Sequence, residues 1–362
     1  MNPAASAAPV ATPTAPRVSL LLIAYRQADS VGAAVAGALA QTYSPLQILI
    51  SDDASGDGTW AAIQAAVAGY SGPHQIVLNQ NPVNLGIGAH LSHLVALSTG
   101  ELLFVAAGDD VSLPQRCTRT VQAWLALDRR PDLIASALID IDAQGAAHGV
   151  LRPANLADWH GAADWIKQLP LVVGAGQAWT RRVFDRFGPL PNGVVAEDLI
   201  MVFRAIVSGG AVTLDDALVM YRRGGISRRR RALHAQQVRQ RLASNASHAL
   251  VEVPCLLRDA ALAGASAQVA AALGAQLARE RHVAAQLDAP NGPAGSHLSA
   301  RLRRLLVDRE VPLALRLRVF VYATCPALLA PGFALKRGWL RWRGSRLGGR
   351  LEGRRTDRRA ST

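Results

Sequence analysis

The front half of the chain alternates between two hydrophobic periods. Apolar side chains four residues apart, at Val31, Val35 and Leu39, predict one face of a helix, and further helices are expected from Asp57 to about Ala68 and up to about Ser98. Short apolar runs predict buried strands before and between these helices, at residues 18–23, 46–51, 75–79 and 101–106. Strand and helix in alternation predict an α/β fold with a mostly parallel sheet.

The rear of the chain has a different pattern. Residues 230–287 are rich in Ala, Leu, Arg and Gln and predict helices, as do residues 297–323, while Pro and Gly near 288–296 predict a linker. We therefore expect a disordered leader at 1–16, an α/β domain at 17–228, and a helical, basic C-terminal extension at 229–362.

Two pairs of carboxylates follow predicted strands. Asp52 and Asp53 come after the second strand, and Asp109 and Asp110 come after the fourth. In a parallel sheet the carboxyl ends of the strands share one edge, and ligands bind there. Adjacent carboxylates suit Mg²⁺ or Mn²⁺, which in turn binds a diphosphate. Asp pairs also occur in turns and helix caps, but two pairs at one edge favour a metal site.

Several common sites are excluded. The chain has no Gly-Lys dipeptide and hence no P-loop. Residues 24–28, which follow the first strand, contain no glycine of a dinucleotide fingerprint. No Gly-x-Ser-x-Gly elbow and no His/Cys group with zinc spacing is present. Three distant cysteines argue against a disulfide framework.

Charge is distributed unevenly along the chain. The formal net charge is +13, but residues 1–221 hold 12 basic and 18 acidic residues, whereas residues 222–362 hold 27 basic and 8 acidic residues. The acidic front and the basic rear therefore indicate two distinct regions of the chain.

A run of motifs in the front half resembles the family 2 glycosyltransferases with the GT-A fold. The resemblance covers about residues 17–228. It rests on residues 18–25, 38–43, 48–59, Asn84-Leu-Gly86, Gly108-Asp-Asp110 with Pro114, Gly174-Ala-Gly176, Glu197-Asp-Leu199 and Tyr221-Arg222.

This resemblance implies a role for each matching residue. Ala24 and Tyr25 would flank the nucleobase of a nucleotide-sugar donor, and Asp53, with Asp52 beside it, would hydrogen-bond the base or ribose. Asp110 would be the direct metal ligand, with Asp109 beside it on the metal and donor. Glu197 and Asp198 would supply the catalytic base, and Arg222 with residues 223–227 would close over the diphosphate.

Two departures from the family pattern refine this expectation. Ala107 stands where many members carry a further acidic residue, so the metal site would have one carboxylate fewer. Residues 236–239 lack the Trp of the processive members' Gln-x-x-Arg-Trp motif, so the resemblance implies a non-processive bacterial enzyme. It would transfer a sugar, with inversion, from a UDP- or dTDP-sugar to a saccharide or lipid-linked acceptor in cell-surface polysaccharide or glycolipid assembly, using Mn²⁺ or Mg²⁺.

Three alternatives remain open at this point: a nucleotidyltransferase, a basic nucleic-acid-binding protein and a catalytically inactive nucleotide-sugar-binding relative. Nucleic acid is the less expected partner because the basic charge lies in a tail and aromatic residues make up only 5% of the chain. The basic extension would instead bind an anionic membrane surface, dock on the acidic front or self-associate. We expect a cytoplasmic protein, peripheral at the inner face of the cytoplasmic membrane.

Overall fold

The computed structural model describes residues 15–222, 234–287 and 294–325. Most of the predicted leader at 1–16, the loop at 223–227, residues 288–293 of the predicted linker, and the basic tail after residue 325 lie outside the described residues.

Strands and helices alternate through the front half, and the rear is helical, as the sequence predicts. The strands are β1 (Val18–Ala24), β2 (Leu46–Asp52), β3 (Gln75–Gln80), β4 (Leu102–Ala107), β5 (Val111–Ser112), β6 (Leu133–Ile141), β7 (Ala147–Leu151), β8 (Gln177–Thr180) and β9 (Ala211–Arg222). The helices are α1 (Val31–Leu39), α2 (Thr59–Val67), α3 (Ile87–Leu97), α4 (Arg116–Ala126), α5 (Ala162–Lys167), α6 (Arg181–Phe187), α7 (Glu197–Ile206), α8 (Ala235–Leu262), α9 (Ala267–Leu287), α10 (Ala294–Val307) and α11 (Leu313–Thr324).

The nine strands form one mixed sheet in the order β3-β2-β1-β4-β8-β6-β9-β5, with β7 paired to β6. The first four strands are parallel, β8 runs antiparallel to β4 and β6, and β6 and β9 are parallel. The carboxyl ends of β4, β6 and β9 therefore lie at the same edge as the amino end of β8. The predicted α/β class with a helical C-terminal region is confirmed.

The core forms where the sequence has continuous apolar runs. Every side chain of β1 and β2 is buried, because helices cover strands that carry apolar residues on both faces. One core cluster joins β1, β2 and β4 to side chains of α1, α2 and α4, including Val35, Ile63 and Trp124. This packed layer supports the strand ends.

The described residues fall into two compact units. The first contains residues 15–222 together with Asp259–Ala265, and the second contains the remaining helical residues. In the first unit Arg204 Nε on α7 donates to Asp259 Oδ2 over 2.7 Å, and both side chains are fully buried. A chain ending near residue 228 would omit this carboxylate.

Within the described residues, no helix is long and apolar enough to cross a membrane.

We expect Asp259→Ala to destabilise the first unit by about 3–5 kcal/mol, because removing one partner leaves a buried guanidinium uncompensated. The matched control is Asp216→Ala, whose exposed ion pair with Arg119 is expected to contribute less than about 1 kcal/mol. Urea unfolding measures both. Equal losses for the two variants would contradict a stabilising role for the buried pair.

Candidate active site

The strand register brings the two Asp pairs to one edge of the sheet. Ala24 pairs with Asp52, and Ile23 pairs with Ala107. Beyond the strands, the Asp53 N–H donates to Ala24 O and the Gly108 N–H donates to Ile23 O, each over 2.9 Å. A Cβ on Gly108 would stand 2.5 Å from Gln27 Oε1 and 2.9 Å from Ala24 Cβ, so glycine permits this close approach.

Asp110 is a buried carboxylate at this edge. Burial raises its pKa to about 7, and the neighbouring Asp109 carboxylate adds to the rise. The backbone N–H of Arg222 donates to Asp110 Oδ1 over 2.8 Å and opposes the shift. Burial also raises the pKa of Asp109. A pair of carboxylates in this setting is stabilised by a bound cation.

Arg222 reaches the same edge from the end of β9. Its Nε donates to Asp109 O over 3.2 Å, and its Nη1 donates to the carbonyl oxygens of Asp142 and Ala143 over 3.1 and 2.7 Å. Arg222 therefore holds the Asp109–Asp110 turn against the β6–β7 connection. The contact with a diphosphate that the resemblance implies stays a prediction.

Arg116 lies fully buried in the first turn of α4. Its Nη1 donates to Ser112 Oγ over 2.9 Å, and its Nη2 donates to Val105 O and Gln177 O over 2.8 and 3.2 Å. These bonds tie together β5, β4 and β8. Attraction between Arg116 and Asp110 lowers the pKa of Asp110 and offsets part of the burial effect.

The remaining predicted pair begins α7. A Cβ on Gly174, just before β8, would lie 3.0 Å from Glu197 Oε1 and 3.4 Å from Asp198 Cβ, so α7 starts against the amino end of β8. Glu197 is buried. Since that end of β8 lies at the carboxylate edge, Glu197 and Asp198 share this edge with Asp110.

Asp198 also stabilises its own helix. Its Oδ1 accepts from the Leu199 N–H over 2.8 Å, and its backbone oxygen accepts from Gln177 Nε2 over 3.4 Å. Acidic residues in a first turn interact favourably with the helix dipole. A capping role and a catalytic role are compatible at this position.

Asp53 is surrounded by donors from the protein itself. Its Oδ1 accepts from Asn81 Nδ2 and the Leu85 N–H over 2.7 and 2.9 Å, and its Oδ2 accepts from Asn84 Nδ2 and the Gly86 N–H, each over 3.0 Å. The carboxylate thus anchors the loop between β3 and α3. The structure gives Asp53 a structural task beside the nucleotide contact that the resemblance implies.

Asp52 and His90 complete the polar network around this loop. Asp52 accepts from Ser55, through both its hydroxyl and its N–H, and from Gln80 Nε2 over 3.2 Å. His90 Nε2 lies 2.6 Å from Ser51 Oγ, and burial holds its pKa well below the usual value. Asp52 therefore closes the turn after β2, and His90 belongs to the packed interior.

Ala24 and Tyr25, which are predicted to flank the nucleobase of the donor, lie at the end of β1. Ala24 is buried, whereas Tyr25 is 42% exposed and has the Arg26 guanidinium 5.1 Å from its ring centroid. Arg26 has φ +53° and Ala54 has φ +58°, so the loops after β1 and β2 both contain a non-glycine residue in the left-handed region. Such backbone is held where the surroundings require it, often at functional sites.

The donor set fits a magnesium-like cation held jointly with a ligand. Among the described residues, no group of three or more His, Cys, Asp or Glu side chains could hold a metal. Mg²⁺ commonly uses one or two carboxylates together with water and phosphate oxygens. Asp109 and Asp110 provide that number, so the site suits a cation that arrives with a diphosphate.

Two clefts of about 390 Å³ lie elsewhere in the first unit. One is lined by Arg152, Asn155 and Asp215, and the other by Trp159 and His160 with residues 208–212. Neither cleft contains a residue of the carboxylate edge. We place the candidate site at Asp110 on the basis of its buried carboxylate, not of cleft volume.

Comparison with known proteins finds a matching family and a curated relative. The family model described as Glycosyl transferase family 2 matches residues 19–136, which include both Asp pairs. The putative glycosyltransferase EpsE of Bacillus subtilis (strain 168) is 28% identical over 139 residues, or 38% of this chain and 49% of EpsE. The matched part thus spans about half the length of that relative.

Residues 19–136 thus share the sequence pattern of the family 2 glycosyltransferases.

Two solved structures also match most of the chain. S. aureus TarS 1–349 in complex with UDP-GlcNAc is 14% identical, with 84% of this chain and 89% of that chain covered and a TM-score of 0.49. The mannosyltransferase PcManGT from Pyrobaculum calidifontis, in complex with GDP-Man and Mn²⁺, is 18% identical, with 87% of each chain covered and a TM-score of 0.49.

Sequence reasoning missed three residues that shape the candidate site: Gln27, Arg116 and Gln177. Gln27 packs against Gly108, and Gln177 joins Arg116 to Asp198. An arginine among buried positions of α4 was the one available signal, because such a charge requires partners.

We expect Asp53→Ala to lower the free energy of unfolding by about 3 kcal/mol or more, because several part-buried donors lose their acceptor. The control Asp29→Ala changes an exposed carboxylate and is expected to stay within about 0.5 kcal/mol. Urea unfolding and nucleotide titration are measured together. Normal stability with lost nucleotide binding would refute the anchoring role.

We expect Mn²⁺ to bind about tenfold more tightly at pH 8 than at pH 6, because a proton must leave Asp110 first. The raised pKa of Asp110 means that the folded protein holds this proton more tightly than the unfolded chain. The stability that protonated Asp110 adds to the folded protein is fully present below the pKa of this residue in the unfolded chain. It is lost as the pH rises through about 7. Calorimetric titration measures the affinity.

Asp109→Asn is the control for this pH effect, since removing the neighbouring charge lowers the pKa of Asp110 and reduces the difference between the two pH values. Equal Mn²⁺ affinities at pH 6 and pH 8 in the unmodified protein would contradict the role of Asp110.

Proposed function

We propose that the chain transfers a sugar from a nucleoside diphosphate sugar, a UDP- or dTDP-sugar, to an acceptor hydroxyl with inversion at the anomeric carbon. The observation that carries this proposal is the placement of buried Asp110, whose pKa is raised, at one sheet edge with Asp109, Glu197 and Asp198. The family 2 match over residues 19–136 supports the reaction class.

On the donor side, Asp109 and Asp110 would hold Mn²⁺ or Mg²⁺, which when bound offsets the negative charge that develops on the leaving diphosphate. Arg222 keeps the Asp109–Asp110 turn in place through its backbone N–H and its Nε. Exposed Tyr25 presents a ring at the end of β1 against which a nucleobase stacks.

On the acceptor side, the attacking hydroxyl must lose a proton as its oxygen bonds to the anomeric carbon. The Asp198 carboxylate accepts this proton, with Glu197 beside it, while the bond from the anomeric carbon to the diphosphate oxygen breaks and its electron pair leaves with the nucleotide. Displacement from the face opposite the leaving group inverts the centre in one step.

The acceptor class we propose is a saccharide or a lipid-linked sugar, in the assembly of a cell-surface polysaccharide or glycolipid. The corresponding location is the cytoplasm, at the inner face of the cytoplasmic membrane. Basic residues outnumber acidic residues by 19 in the region 222–362, which supports contact with an anionic surface.

We expect Asp110→Ala to abolish Mn²⁺-dependent release of nucleotide from nucleoside diphosphate sugars, with a smaller loss for Asp109→Ala, because Asp110 is the more buried carboxylate. Asp185→Ala on α6 removes an exposed carboxylate and serves as the control. Full activity of Asp110→Ala, or undiminished activity in a chelator, would overturn the proposed metal site.

We expect Asp198→Asn to lower turnover by a factor on the order of 10² or more while donor affinity stays near that of the unmodified chain, as loss of a general base requires. Asn still accepts the Leu199 N–H, so the helix start is kept. Single-turnover kinetics and donor titration separate the two effects. If affinity and stability fall but bound donor turns over normally, Asp198 is only a capping residue.

A further inference from the structure

The last two helices of the described region present rows of leucine to solvent. On α10, Leu298, Leu302 and Leu306 are 48%, 45% and 74% exposed. On α11, Leu313 and Leu317 are 56% and 48% exposed. Residues four apart share one face of a helix, so each helix carries one continuous apolar row.

The opposite face of α11 is the one that packs within the helical unit. Val319 and Ala323 are buried in a cluster with Val283 and Leu287 of α9. The exposed leucines of α11 are therefore not part of its packed face. They form a second apolar surface on the helix.

Each row has an exposed arginine beside one of its leucines. Arg303 comes directly after Leu302, and Arg318 comes directly after Leu317. Arg309, in the turn between the two helices, is also exposed. We call the five leucines and these three arginines the leucine–arginine surface.

Other arginines of the same helices point to different partners. Arg301 Nη1 donates to Ala323 O over 3.0 Å, and Arg304 and Arg316 donate to the carbonyl oxygens of Ala285 and Leu305. The arginines are thus divided between bonds inside the helical unit and charges beside the leucine rows. Such a division is typical of helices that lie at an interface between water and an apolar phase.

We propose that the leucine–arginine surface binds an anionic lipid bilayer, with α10 and α11 lying in the plane of the membrane. Leucines enter the acyl boundary, and the arginines beside them reach the anionic headgroups. In this arrangement α10 and α11 lie along the bilayer surface, and neither is long and apolar enough to cross it.

Charge complementarity selects this occupant over a second copy of the chain. Two such surfaces brought face to face would place arginines of like charge against each other. A nucleic acid would satisfy the arginines but would leave the leucines in water. A bilayer with anionic headgroups satisfies both parts of the surface.

The test is co-sedimentation of the full chain with vesicles of phosphatidylglycerol and phosphatidylcholine, and with phosphatidylcholine alone. Binding is expected to the anionic vesicles and to fall between 0.1 M and 1 M salt. Arg303→Gln with Arg318→Gln should weaken binding about 25-fold, roughly fivefold per charge. The matched control, Arg279→Gln with Arg281→Gln, removes two exposed charges from α9 and should weaken binding less than about threefold.

A second pair of variants tests the apolar part. Leu306→Asp with Leu317→Asp should weaken binding at least tenfold, whereas Leu171→Asp, at a 60% exposed leucine of the first unit, should not. All these side chains are exposed, so unfolding curves should be unchanged and any loss is one of binding.

Three results would overturn the proposal. The full chain does not bind anionic vesicles at low salt, or the arginine and leucine variants bind as their controls do, or sedimentation velocity shows a dimer that the leucine variants dissociate. Donor hydrolysis without vesicles should be equal in all variants. The membrane proposal therefore stands or falls independently of the proposed sugar transfer.

Discussion

A buried guanidinium holds together the strands whose ends form the carboxylate edge. Arg116 donates to β4, β5 and β8 at once, through Val105 O, Ser112 Oγ and Gln177 O. A charge in the interior is tolerated when it is fully hydrogen-bonded and faces an opposite charge, and Asp110 provides that charge. Gln177 in turn donates to the backbone oxygen of Asp198, so one polar path joins Arg116, beside Asp110, to the start of α7.

The two Asp pairs occupy the same edge and yet have different environments. Asp53 accepts four hydrogen bonds from its own chain, which fix the loop that follows β3. Asp110 accepts one from Arg222, and its pKa is raised to about 7 by burial and by Asp109. The first pair is satisfied by the fold, and the second gains stability from a ligand of opposite charge. This difference directs the proposed chemistry to Asp110.

Much of this arrangement follows from local sequence. The apolar runs of β1, β2 and β4 are long and uninterrupted, so their strands and the Asp residues after them were predictable to within one or two residues. The carboxyl ends of parallel strands meet for geometric reasons, which also made the shared edge predictable. The donors around Asp53 were not, because Asn81, Asn84 and Leu85 meet that carboxylate only through tertiary packing.

For the same reason, the sequence does not predict contacts between the first unit and residues far along the chain. Asp259 belongs to a helix whose composition resembles the rest of the rear half, yet it neutralises Arg204 in the first unit. Pairing over 55 residues leaves no periodic signal. Likewise, the sequence around Gln177 does not indicate its contact with Arg116, which depends on the pairing of β8 with β4.

The central claim, that a cation and a donor diphosphate meet at the end of β4, is tested most directly by crystals grown with Mn²⁺ and UDP or dTDP. Anomalous scattering from manganese locates the ion without reference to the protein density. The account predicts one peak within about 2.5 Å of an Asp110 carboxylate oxygen, with diphosphate oxygens completing the coordination. A nucleotide bound elsewhere, or a nucleotide bound at this edge with no manganese beside Asp110, would contradict it.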